Sequence, residues 1–414
     1  MNKPKLQPVR GTKDLYFEDA MRHEYIIAKA WKIAERYGFA PFSTPIFEFT
    51  EVFKRTLGDT SDVVNKEMYS FEDRGGEGIT LRPEFTAGIA RAYISNGLQQ
   101  HLPIKAFSYG PLFRYERPQK GRQRQFHQVN AEWLGEASPL ADVEIIALAN
   151  DLLRELGITE GVTLALNSLG DNQSRQDYRE ALVSYLKGFE ARLSEDSKVR
   201  LEKNPLRILD SKDAGDRDIL KEAPSIAEYY TPAAQDFLQQ VTEGLSALGI
   251  AYQLNPAIVR GLDYYSHTVF EFVVESEEMG SQNTVLAGGR YDGLMAQLGG
   301  PDTPAIGFAA GVERLALLAS CPEDTRSKLA ILPMQPEMVH DALKLAHRLR
   351  GEGVRTEVIA GNNLGKQLKK ADKVQATHAA ILGSDELARG VVQLKNLKSG
   401  EQNEIAIEKV QNEL

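Results

Sequence analysis

The length, composition and charge of the chain exclude several classes of protein before any motif is considered. With 414 residues, of which 42% are hydrophobic and 26% charged, the chain has the composition of folded globular proteins and the length of two or three domains. Its formal net charge of −9 opposes non-specific binding of nucleic acid over the whole surface, so any nucleic-acid contact has to be local.

The sequence shows no sign of secretion or membrane insertion. The basic opening MNKPKLQPVRG is not followed by an apolar segment, and no run approaches the roughly 18 apolar residues that a membrane span requires. The single cysteine, Cys321, cannot form an internal disulfide or a cysteine-based metal cluster, which agrees with a reducing compartment. We therefore expect a cytoplasmic protein that makes no membrane contact.

The first hundred residues predict two helices separated by an extended segment. Apolar residues recur at helical spacing from Ala20 to Tyr37, and Gly38 ends this helix. The next segment, FSTPIFEF, carries Pro45 and therefore suits a sheet edge or an interface. A second helix is predicted through Ala87 to Tyr93.

Two strands and a charged insertion follow. The runs Ala106 to Tyr115 and Phe126 to Leu134 predict neighbouring antiparallel strands joined by a polar loop. From about 171 to 235 the chain is rich in charge and short of the β-branched residues that favour strands. This region is therefore predicted to be a mainly helical insertion.

The remainder of the chain predicts a return to strands and then a separate domain. Strand patterns recur at Thr268 to Val274 and in AIGFAAGVERLALL, which leads from a strand into a helix. Cys321 to Ser327 is polar and without periodicity, so it marks a boundary. Beyond it strands and helices alternate, which predicts a compact α/β domain. The predicted domains are 1–325, which contains the insertion, and 326–414.

Candidate site residues cluster first around the polar loop, in FRYERPQKGRQRQFHQVNAEWLG (113–135). Because side chains alternate along a strand, Arg114 and Glu116 share one face of the first strand, and Gln128 and Glu132 share one face of the second. If the strands pair, all four side chains are expected to line one cavity. The loop also carries a series of basic residues, namely Arg117, Lys120, Arg122 and Arg124. Such a loop suits a polyphosphate or the end of a nucleic acid, and the alternative is a solvated hairpin tip.

Two further segments carry candidate residues. In LRPEFTAGIARAY, Glu84 and Thr86 precede a helix, and both residue types commonly cap a helix start. The alternative is that Glu84 supplies a carboxylate that binds a cationic amine. In GFAAGVERL, small residues permit the close approach of an adenine ring or a facing strand, and Arg314 near the helix start suits an anionic ligand. Neither GxxxxGKS/T nor GxGxxG occurs in the chain, so neither a P-loop nor a Rossmann fingerprint accounts for these arginines.

Together these segments resemble the class II aminoacyl-tRNA synthetases, and among them the histidyl-tRNA synthetase family. The Pro45 region resembles the first class II motif, which lies at the dimer interface of the family. FRYERPQKGRQRQFHQ resembles the second motif and GFAAGVERL the third, while RGLDYYSHTVFEF and AGGRYDG resemble two segments peculiar to the histidine enzymes. The resemblance covers nearly the whole chain and departs from the usual pattern at Phe85, at His267 and in TVLAGGRYD, the lead into the second histidine segment.

The resemblance implies a fold and a reaction. The fold is α+β, with a catalytic domain built on an antiparallel sheet flanked by helices, a helical insertion within it, and a C-terminal α/β anticodon-binding domain. The reaction activates L-histidine with ATP to histidyl-adenylate and pyrophosphate, and then transfers histidine to the 3′-terminal adenosine of histidine tRNA. Mg²⁺ would bridge the phosphates, no metal held by protein ligands alone is predicted, and a homodimer is expected.

The resemblance also implies roles for individual residues. The catalytic residues would be Arg260, which offsets the repulsion between the histidine carboxylate and the α-phosphate, and Arg114, which holds that phosphate. The ATP-binding residues would be Arg114, Glu116, Arg122 and Arg314. The histidine-binding residues would be Glu84, Thr86 and Gln128 around the α-amino group, and Glu132, Tyr264 and Tyr265 around the imidazole. In the polar loop, Gln119 and Arg124 would contact tRNA.

A positive stripe in the C-terminal domain is a second candidate for tRNA contact. Its members fall at i, i+3, i+4 and i+7 of a predicted helix and are Lys366, Lys369, Lys370 and Lys373. The alternative is a solvated lysine face. Within an anticodon-binding module, a surface that contacts phosphates is expected instead.

Two other functions compete for the whole chain. The regulatory subunit of ATP phosphoribosyltransferase shares the catalytic fold but acts as a binding protein and lacks the anticodon module. A class II synthetase for another amino acid would share the three motifs, but the tyrosine pair Tyr264 and Tyr265 and the segment AGGRYDG oppose it.

Overall fold

The computed structural model describes residues 6–57, 63–258, 264–276, 279, 283–322 and 326–414. The chain divides into two compact units, Met1–Cys321 and Pro322–Leu414. Among the helices of these described stretches, none combines the length and the apolar character that crossing a membrane would take.

The first unit is built on a sheet of eight strands. Their bounds are β1 Ala40–Pro41, β5 Ile104–Phe113, β6 Gln125–Leu134, β7 Val162–Ser168, β8 Gln253–Leu254, β9 Ser266–Val274, β10 Thr284–Arg290 and β11 Ala305–Gly311. The spatial order is β1-β5-β6-β11-β10-β9-β7-β8, and pairing is antiparallel except for the two short edge strands, which pair parallel. The predicted antiparallel pair β5 and β6 is confirmed, with Gly110 opposite Gln128. A separate antiparallel sheet contains β2 Phe47–Phe49, β3 Tyr69–Glu72 and β4 Gly78–Leu81.

Helices cover both faces of the large sheet. Their bounds in the first unit are α1 Phe17–Arg36, α2 Thr50–Leu57, α3 Thr86–Ser95, α4 Pro139–Glu155, α5 Asn172–Lys187, α6 Glu195–Lys203, α7 Ala214–Leu220, α8 Pro232–Ala247, α9 Leu294–Gln297 and α10 Val312–Leu318. On one face, apolar residues of α1, α4, α8 and α10 form a core with Val129, Ala131 and Trp133 of β6. Because side chains alternate along a strand, Gln128, Asn130 and Glu132 are directed to the opposite face, which α3 covers in part.

The region between 171 and 230 is helical, as predicted, and its two ends meet. Asp171 caps α5 by accepting from the Ser174 backbone N–H at 2.8 Å, and its other oxygen accepts from the Thr231 hydroxyl. The Tyr230 hydroxyl donates to the Ser168 carbonyl at 2.7 Å. Helix α8 follows at once, and its buried Val241 belongs to the core of the main sheet.

The second unit has the predicted alternation of strands and helices. Its elements are β12 Lys328–Pro333, α11 Val339–Gly351, β13 Arg355–Val358, α12 Leu364–Lys373, β14 His378–Leu382, α13 Ser384–Ala388, β15 Val391–Asn396 and β16 Gln402–Ala406. The strand order is β13-β12-β14-β15-β16, parallel through β14 and antiparallel beyond it. The short elements α13 and β16 were not predicted, because each carries too few apolar residues to show a period.

Candidate active site

A cavity of about 450 Å³ opens on the face of the large sheet opposite the α1 and α4 layer. It receives side chains from β6, β9, β10 and β11, from the start of α3 and from the loop after β5. The predicted residues that line it are Glu84, Thr86, Arg114, Glu116, Arg122, Gln128, Glu132, Tyr264, Tyr265 and Arg314. Residues from distant parts of the sequence that were assigned to histidine and ATP are thus brought together in one cavity.

The predicted strand face is correct for β6 and wrong for the end of β5. Gln128 and Glu132 lie in β6 and share the cavity face with Asn130. Strand β5 ends at Phe113, so Arg114 and Glu116 lie beyond it. The hydrogen-bonded pairing with the chain before β6 continues for one more residue, because the Arg114 N–H donates to the Arg124 carbonyl at 2.9 Å. A tight turn follows, in which the Glu116 N–H donates to the Arg114 carbonyl at 2.8 Å. Both side chains still line the cavity.

Three arginines gather at one end of the cavity. Arg114 donates from Nε to the Pro83 carbonyl at 2.9 Å, and Arg122 forms an ion pair with Glu116. Arg314 donates to the Thr284 carbonyl at 2.6 Å. Burial lowers the pKa of Arg314, and the positive charges of Arg122 and then Arg114 lower it further. Cations that repel one another in a partly buried site suit a ligand with several negative charges.

Glu84 caps the start of α3, and both Glu84 and Thr86 line the cavity. The Glu84 carboxylate accepts from the backbone N–H groups of Thr86 and Ala87 at 2.6 and 2.8 Å, which satisfies donors at the start of α3. Glu84 is buried, and burial raises its pKa. The two alternatives drawn from the sequence are therefore compatible, since each carboxylate oxygen keeps acceptor capacity for a cationic group.

Glu132 lies at the centre of a buried hydrogen-bond network. Its Oε1 accepts from the Thr86 hydroxyl at 2.5 Å and from Asn130 Nδ2 at 3.0 Å, and its Oε2 accepts from the Tyr291 hydroxyl at 2.5 Å. Burial nevertheless raises the pKa of Glu132 to about 7. Sequence reasoning missed Asn130 and Tyr291, although Asn130 lies between two predicted residues on the same strand face and Tyr291 lies within AGGRYDG.

The tyrosine pair forms a wall of the same cavity. Tyr264 is buried, which raises its pKa well above the ordinary value, and its ring centroid lies 4.7 Å from that of Tyr265 and 5.5 Å from that of Tyr291. Gly289 permits this arrangement, because a Cβ there would lie 2.8 Å from Tyr265 Cδ1. The predicted catalytic residue Arg260 lies outside the described residues.

The small residues of the third motif serve a facing side chain. A Cβ on Gly307 would lie 1.6 Å from Glu132 Oε2 and 2.6 Å from the Ala131 carbonyl oxygen. Gly307 pairs with Glu132 across the β6 and β11 ladder. The absence of a side chain therefore lets the Glu132 carboxylate extend over the neighbouring strand.

A buried ion pair anchors AGGRYDG beneath the cavity. Arg290 and Asp142 are both fully buried, and the Arg290 guanidinium contacts the Asp142 carboxylate through Nε and a terminal nitrogen. It also donates to the carbonyls of Glu136 and Ser138 at 3.0 and 3.1 Å, so it is satisfied throughout. The pair fixes the end of β10 and thereby the position of the next residue, Tyr291.

Two of the departures from the family pattern, Phe85 and His267, make specific contacts in the structure. Phe85 packs under the Arg82 guanidinium, with 4.5 Å between the guanidinium carbon and the ring centroid. His267 has a positive φ of 45° and stacks on Phe237 of α8 at a centroid distance of 4.5 Å. Its backbone exchanges hydrogen bonds with Leu169 and Gly170, so it joins the start of β9 to the start of the insertion.

The proposed tRNA contacts fall into two environments. In the loop, Gln119 is exposed, whereas Arg124 stacks on the Tyr115 ring at 3.8 Å and is half-buried. On α12 all members of the lysine stripe are exposed, and the buried Gln367 and Ala371 lie on the opposite side of the helix. The predicted stripe is confirmed as a surface of the second unit.

Comparison with known proteins agrees with this geometry. Residues 11–315 match the family model for histidyl-tRNA synthetase, and residues 328–414 match that for the anticodon binding domain. The histidine–tRNA ligase of Gluconacetobacter diazotrophicus is 53% identical over 98% of this chain and 97% of its own, and that of Rhodospirillum rubrum is 54% identical over 97% of both. The crystal structure of apo histidyl-tRNA synthetase from Staphylococcus aureus superposes with a TM-score of 0.85 at 32% identity, covering 99% of both chains.

Both the catalytic and the anticodon-binding parts are thus present in one chain, at an identity that extends over nearly its whole length. The chain therefore belongs to the histidyl-tRNA synthetase family, the aminoacyl-tRNA synthetases that activate histidine with ATP and then charge tRNA with it.

Proposed function

We propose that the 450 Å³ cavity holds L-histidine and ATP side by side and is the site of histidyl-adenylate formation. The observation that carries this proposal is that two groups of polar side chains line one cavity. Carboxylates and tyrosines surround Glu132, and Arg114, Arg122 and Arg314 lie close enough together for the first two to lower the pKa of the third. An amino acid with a polar ring suits the first group, here called the histidine end, and a triphosphate suits the second, here called the ATP end.

At the histidine end, two groups of residues divide the substrate between them. Glu84, Thr86 and Gln128 receive the α-amino group, for which the buried Glu84 carboxylate supplies the negative charge. Glu132, Tyr264 and Tyr265 surround the imidazole. A side chain without ring nitrogens would leave these buried groups unpaired, at a cost of about 1–3 kcal/mol for each, so the pocket discriminates against other amino acids.

At the ATP end, the arginines share the triphosphate. Arg114 holds the α-phosphate, Arg314 the γ-phosphate, and Arg122 a further phosphate oxygen, while Glu116 lies near the adenine. Arg122 already pairs with Glu116, so phosphate binding requires the guanidinium to exchange or share that partner. The carboxylates of Glu116 and Glu271 also line the cavity, and carboxylate oxygens are ligands that Mg²⁺ prefers. Bound Mg²⁺ would neutralise part of the triphosphate charge.

The reaction needs cations because it brings two anions together. An oxygen of the histidine carboxylate attacks the α-phosphorus, the bond from that phosphorus to the pyrophosphate oxygen breaks, and pyrophosphate leaves. Arg114 and Arg260 stabilise the charge that develops on the pentacoordinate phosphorus. In the second step a hydroxyl of the terminal adenosine of tRNA attacks the carbonyl carbon, and AMP leaves.

The remaining parts of the proposal concern partners and domains. Gln119 and Arg124 contact the acceptor end of histidine tRNA, and the lysine stripe of α12 contacts its phosphates. The catalytic domain is 1–325, with the insertion at about 171–235, and the anticodon-binding domain is 326–414. The working compartment is the cytoplasm.

A homodimer is also proposed, and the small sheet supplies its support. Ile46, Phe47, Phe49 and Phe71 are exposed on or beside β2 and β3, and Tyr109 is exposed on β5. Large apolar side chains exposed on this small sheet suit burial in an interface. They include residues beside Pro45, in the segment that resembles the first class II motif.

ATP–pyrophosphate exchange with each amino acid in turn tests the proposal. Histidine alone is expected to support exchange above background. Exchange with a different amino acid would indicate another class II synthetase. Absence of exchange with every amino acid, in a folded protein that still binds histidine, would favour a regulatory subunit and overturn the proposal.

A further inference from the structure

Two histidines and a glutamate meet outside the roles given above. His23 lies on α1, His127 on β6 and Glu313 at the start of α10. One ligand atom from each of the three lies within 4.8 Å of the others. These elements are far apart in sequence, so the fold rather than local chain geometry creates the cluster.

His23 is the member that the fold leaves unexplained. It is only 8% exposed, and its Nδ1 is buried without a hydrogen-bond partner among the described residues. Its ring meets the His127 ring edge to face at a centroid distance of 5.5 Å. A buried nitrogen without a partner costs about 1–3 kcal/mol, so a purely structural role would be better served by an apolar side chain.

His127 and Glu313 are already held in position. The Glu313 carboxylate accepts from the His127 backbone N–H with both oxygens at 2.9 Å, and Oε1 lies 2.9 Å from His127 Nδ1. Two of the three candidate ligands are therefore oriented before any ion arrives.

We propose that His23, His127 and Glu313 form a binding site for Zn²⁺ or a similar divalent transition metal, with water as the fourth ligand. Two histidines and one glutamate are a donor set that binds zinc in proteins with an open fourth position. Zinc–ligand bonds of about 2.0–2.2 Å place tetrahedral ligands roughly 3.3–3.5 Å apart. The three ligand atoms lie within 4.8 Å of one another, so binding has to draw the widest pair closer by at most about 1.3–1.5 Å.

The site is coupled to the nucleotide end of the cavity. Glu313 lines the cavity and is followed directly by Arg314, one of the three clustered arginines. A bound ion would link Glu313 on α10 to His23 on α1. Occupancy is therefore expected to change the KM for ATP more than the KM for histidine.

Zinc binding by the full chain, freed of metal with a chelator, tests the proposal. Zn²⁺ is titrated in competition with a chromophoric chelator, and Co²⁺ is added separately to detect the visible absorption of a four-coordinate ion. We expect one equivalent to bind tightly. Loss of outer-shell partners alone weakens metal sites about 10–100-fold, so His23→Leu is expected to weaken binding at least about tenfold.

Matched variants separate this site from chance binding. His101→Gln removes an exposed histidine of the same unit and is expected to bind zinc as the wild type does. His127→Gln removes a second ligand and is expected to repeat the loss seen with His23→Leu. Zn²⁺ is also expected to raise the Tm of the wild type and not that of His23→Leu. Equal zinc affinity in the wild type and His23→Leu, or an equal loss in His101→Gln, would overturn the proposal.

Discussion

The Tyr291 hydroxyl donates a 2.5 Å hydrogen bond to Glu132 Oε2, and both side chains are almost completely buried. The two residues lie on β6 and just after β10, which are separated in the sheet by β11. The Glu132 side chain thus extends over Gly307 of β11 to contact Tyr291. This contact joins AGGRYDG to β6, the strand in which the second class II motif ends, and fixes one side of the proposed imidazole pocket.

Replacing Tyr291 with phenylalanine is expected to weaken histidine binding selectively. The change leaves one Glu132 oxygen without its donor, and hydrogen bonds to charged groups contribute about 1.5–3 kcal/mol. The KM for histidine should rise about tenfold or more, with the KM for ATP unchanged, in ATP–pyrophosphate exchange. Tyr16→Phe, at an exposed position, is the control. An equal rise in both KM values would instead indicate general damage to the cavity.

The raised pKa of Glu132 predicts a pH-dependent stability. Its ordinary value is 4.5 and burial raises it to about 7, so between these values the folded state keeps a proton that the unfolded state has lost. Stability contributed by this group therefore falls as pH rises through about 7, by on the order of 3 kcal/mol in all. Urea unfolding between pH 5 and 8.5 measures the effect.

Comparison with Glu132→Gln isolates that contribution, because Glu84 and Asp142 are also buried carboxyls with raised pKa values and act in the same direction. The glutamine keeps an oxygen for Thr86 and Asn130 and does not ionise. Its stability is expected to decline less than that of the wild type over this pH range. Parallel curves for the two proteins would show that Glu132 does not titrate in this window.

Gly307→Ala is expected to abolish productive histidine binding. The added Cβ would lie 1.6 Å from Glu132 Oε2 and 2.6 Å from a backbone oxygen, so the carboxylate has to leave its network. The value of kcat/KM for histidine should fall on the order of 100-fold, as expected when two or more buried hydrogen bonds are lost. Gly293→Ala, where the nearest atom is 4.0 Å away at the end of Gln297, should retain activity. Full activity of Gly307→Ala would contradict the assigned position of Glu132.

The sequence predicts local structure and many of the residues that line the cavity, but it does not predict long-range partners. Period-2 alternation correctly places Gln128 and Glu132 on one face of β6. The end of β5 at Phe113 depends on a turn that the apolar pattern does not encode. Arg290 and Asp142 are 148 positions apart, and their pairing follows from the packing of α4 on the sheet. Asp142 lies on a helix with buried residues around most of its circumference, which therefore has no clear apolar stripe.

Arg260→Ala is expected to slow adenylation without preventing histidine binding. A preorganised donor to developing charge contributes about 10²–10³ in rate, so single-turnover formation of histidyl-adenylate should slow by at least about 100-fold. Histidine affinity, measured by equilibrium dialysis, should change little, because the proposed histidine-binding residues, Glu84 and Glu132 among them, are unchanged. An unchanged adenylation rate would remove Arg260 from the mechanism.

The lysine stripe of α12 predicts an electrostatic contribution to tRNA binding that is separable from catalysis. Each phosphate contact releases counterions, so the logarithm of the tRNA-binding constant falls with the logarithm of the salt concentration. The magnitude of this slope should decrease by about one for each contact removed. Replacing Lys366, Lys369 and Lys373 with glutamine is therefore expected to reduce this slope by about three and to weaken tRNA binding at low salt. ATP–pyrophosphate exchange, which needs no tRNA, should be unchanged.

A matched triple variant tests whether position or net charge matters. Lys344, Lys398 and Lys409 are exposed elsewhere on the same unit, and their replacement with glutamine changes the net charge by the same amount. Because coulombic interactions of exposed charges are screened within about 8 Å at physiological salt, lysines away from the phosphates should affect the slope little. Equal slopes in the two triple variants would show that long-range charge, and not the α12 stripe, attracts the tRNA.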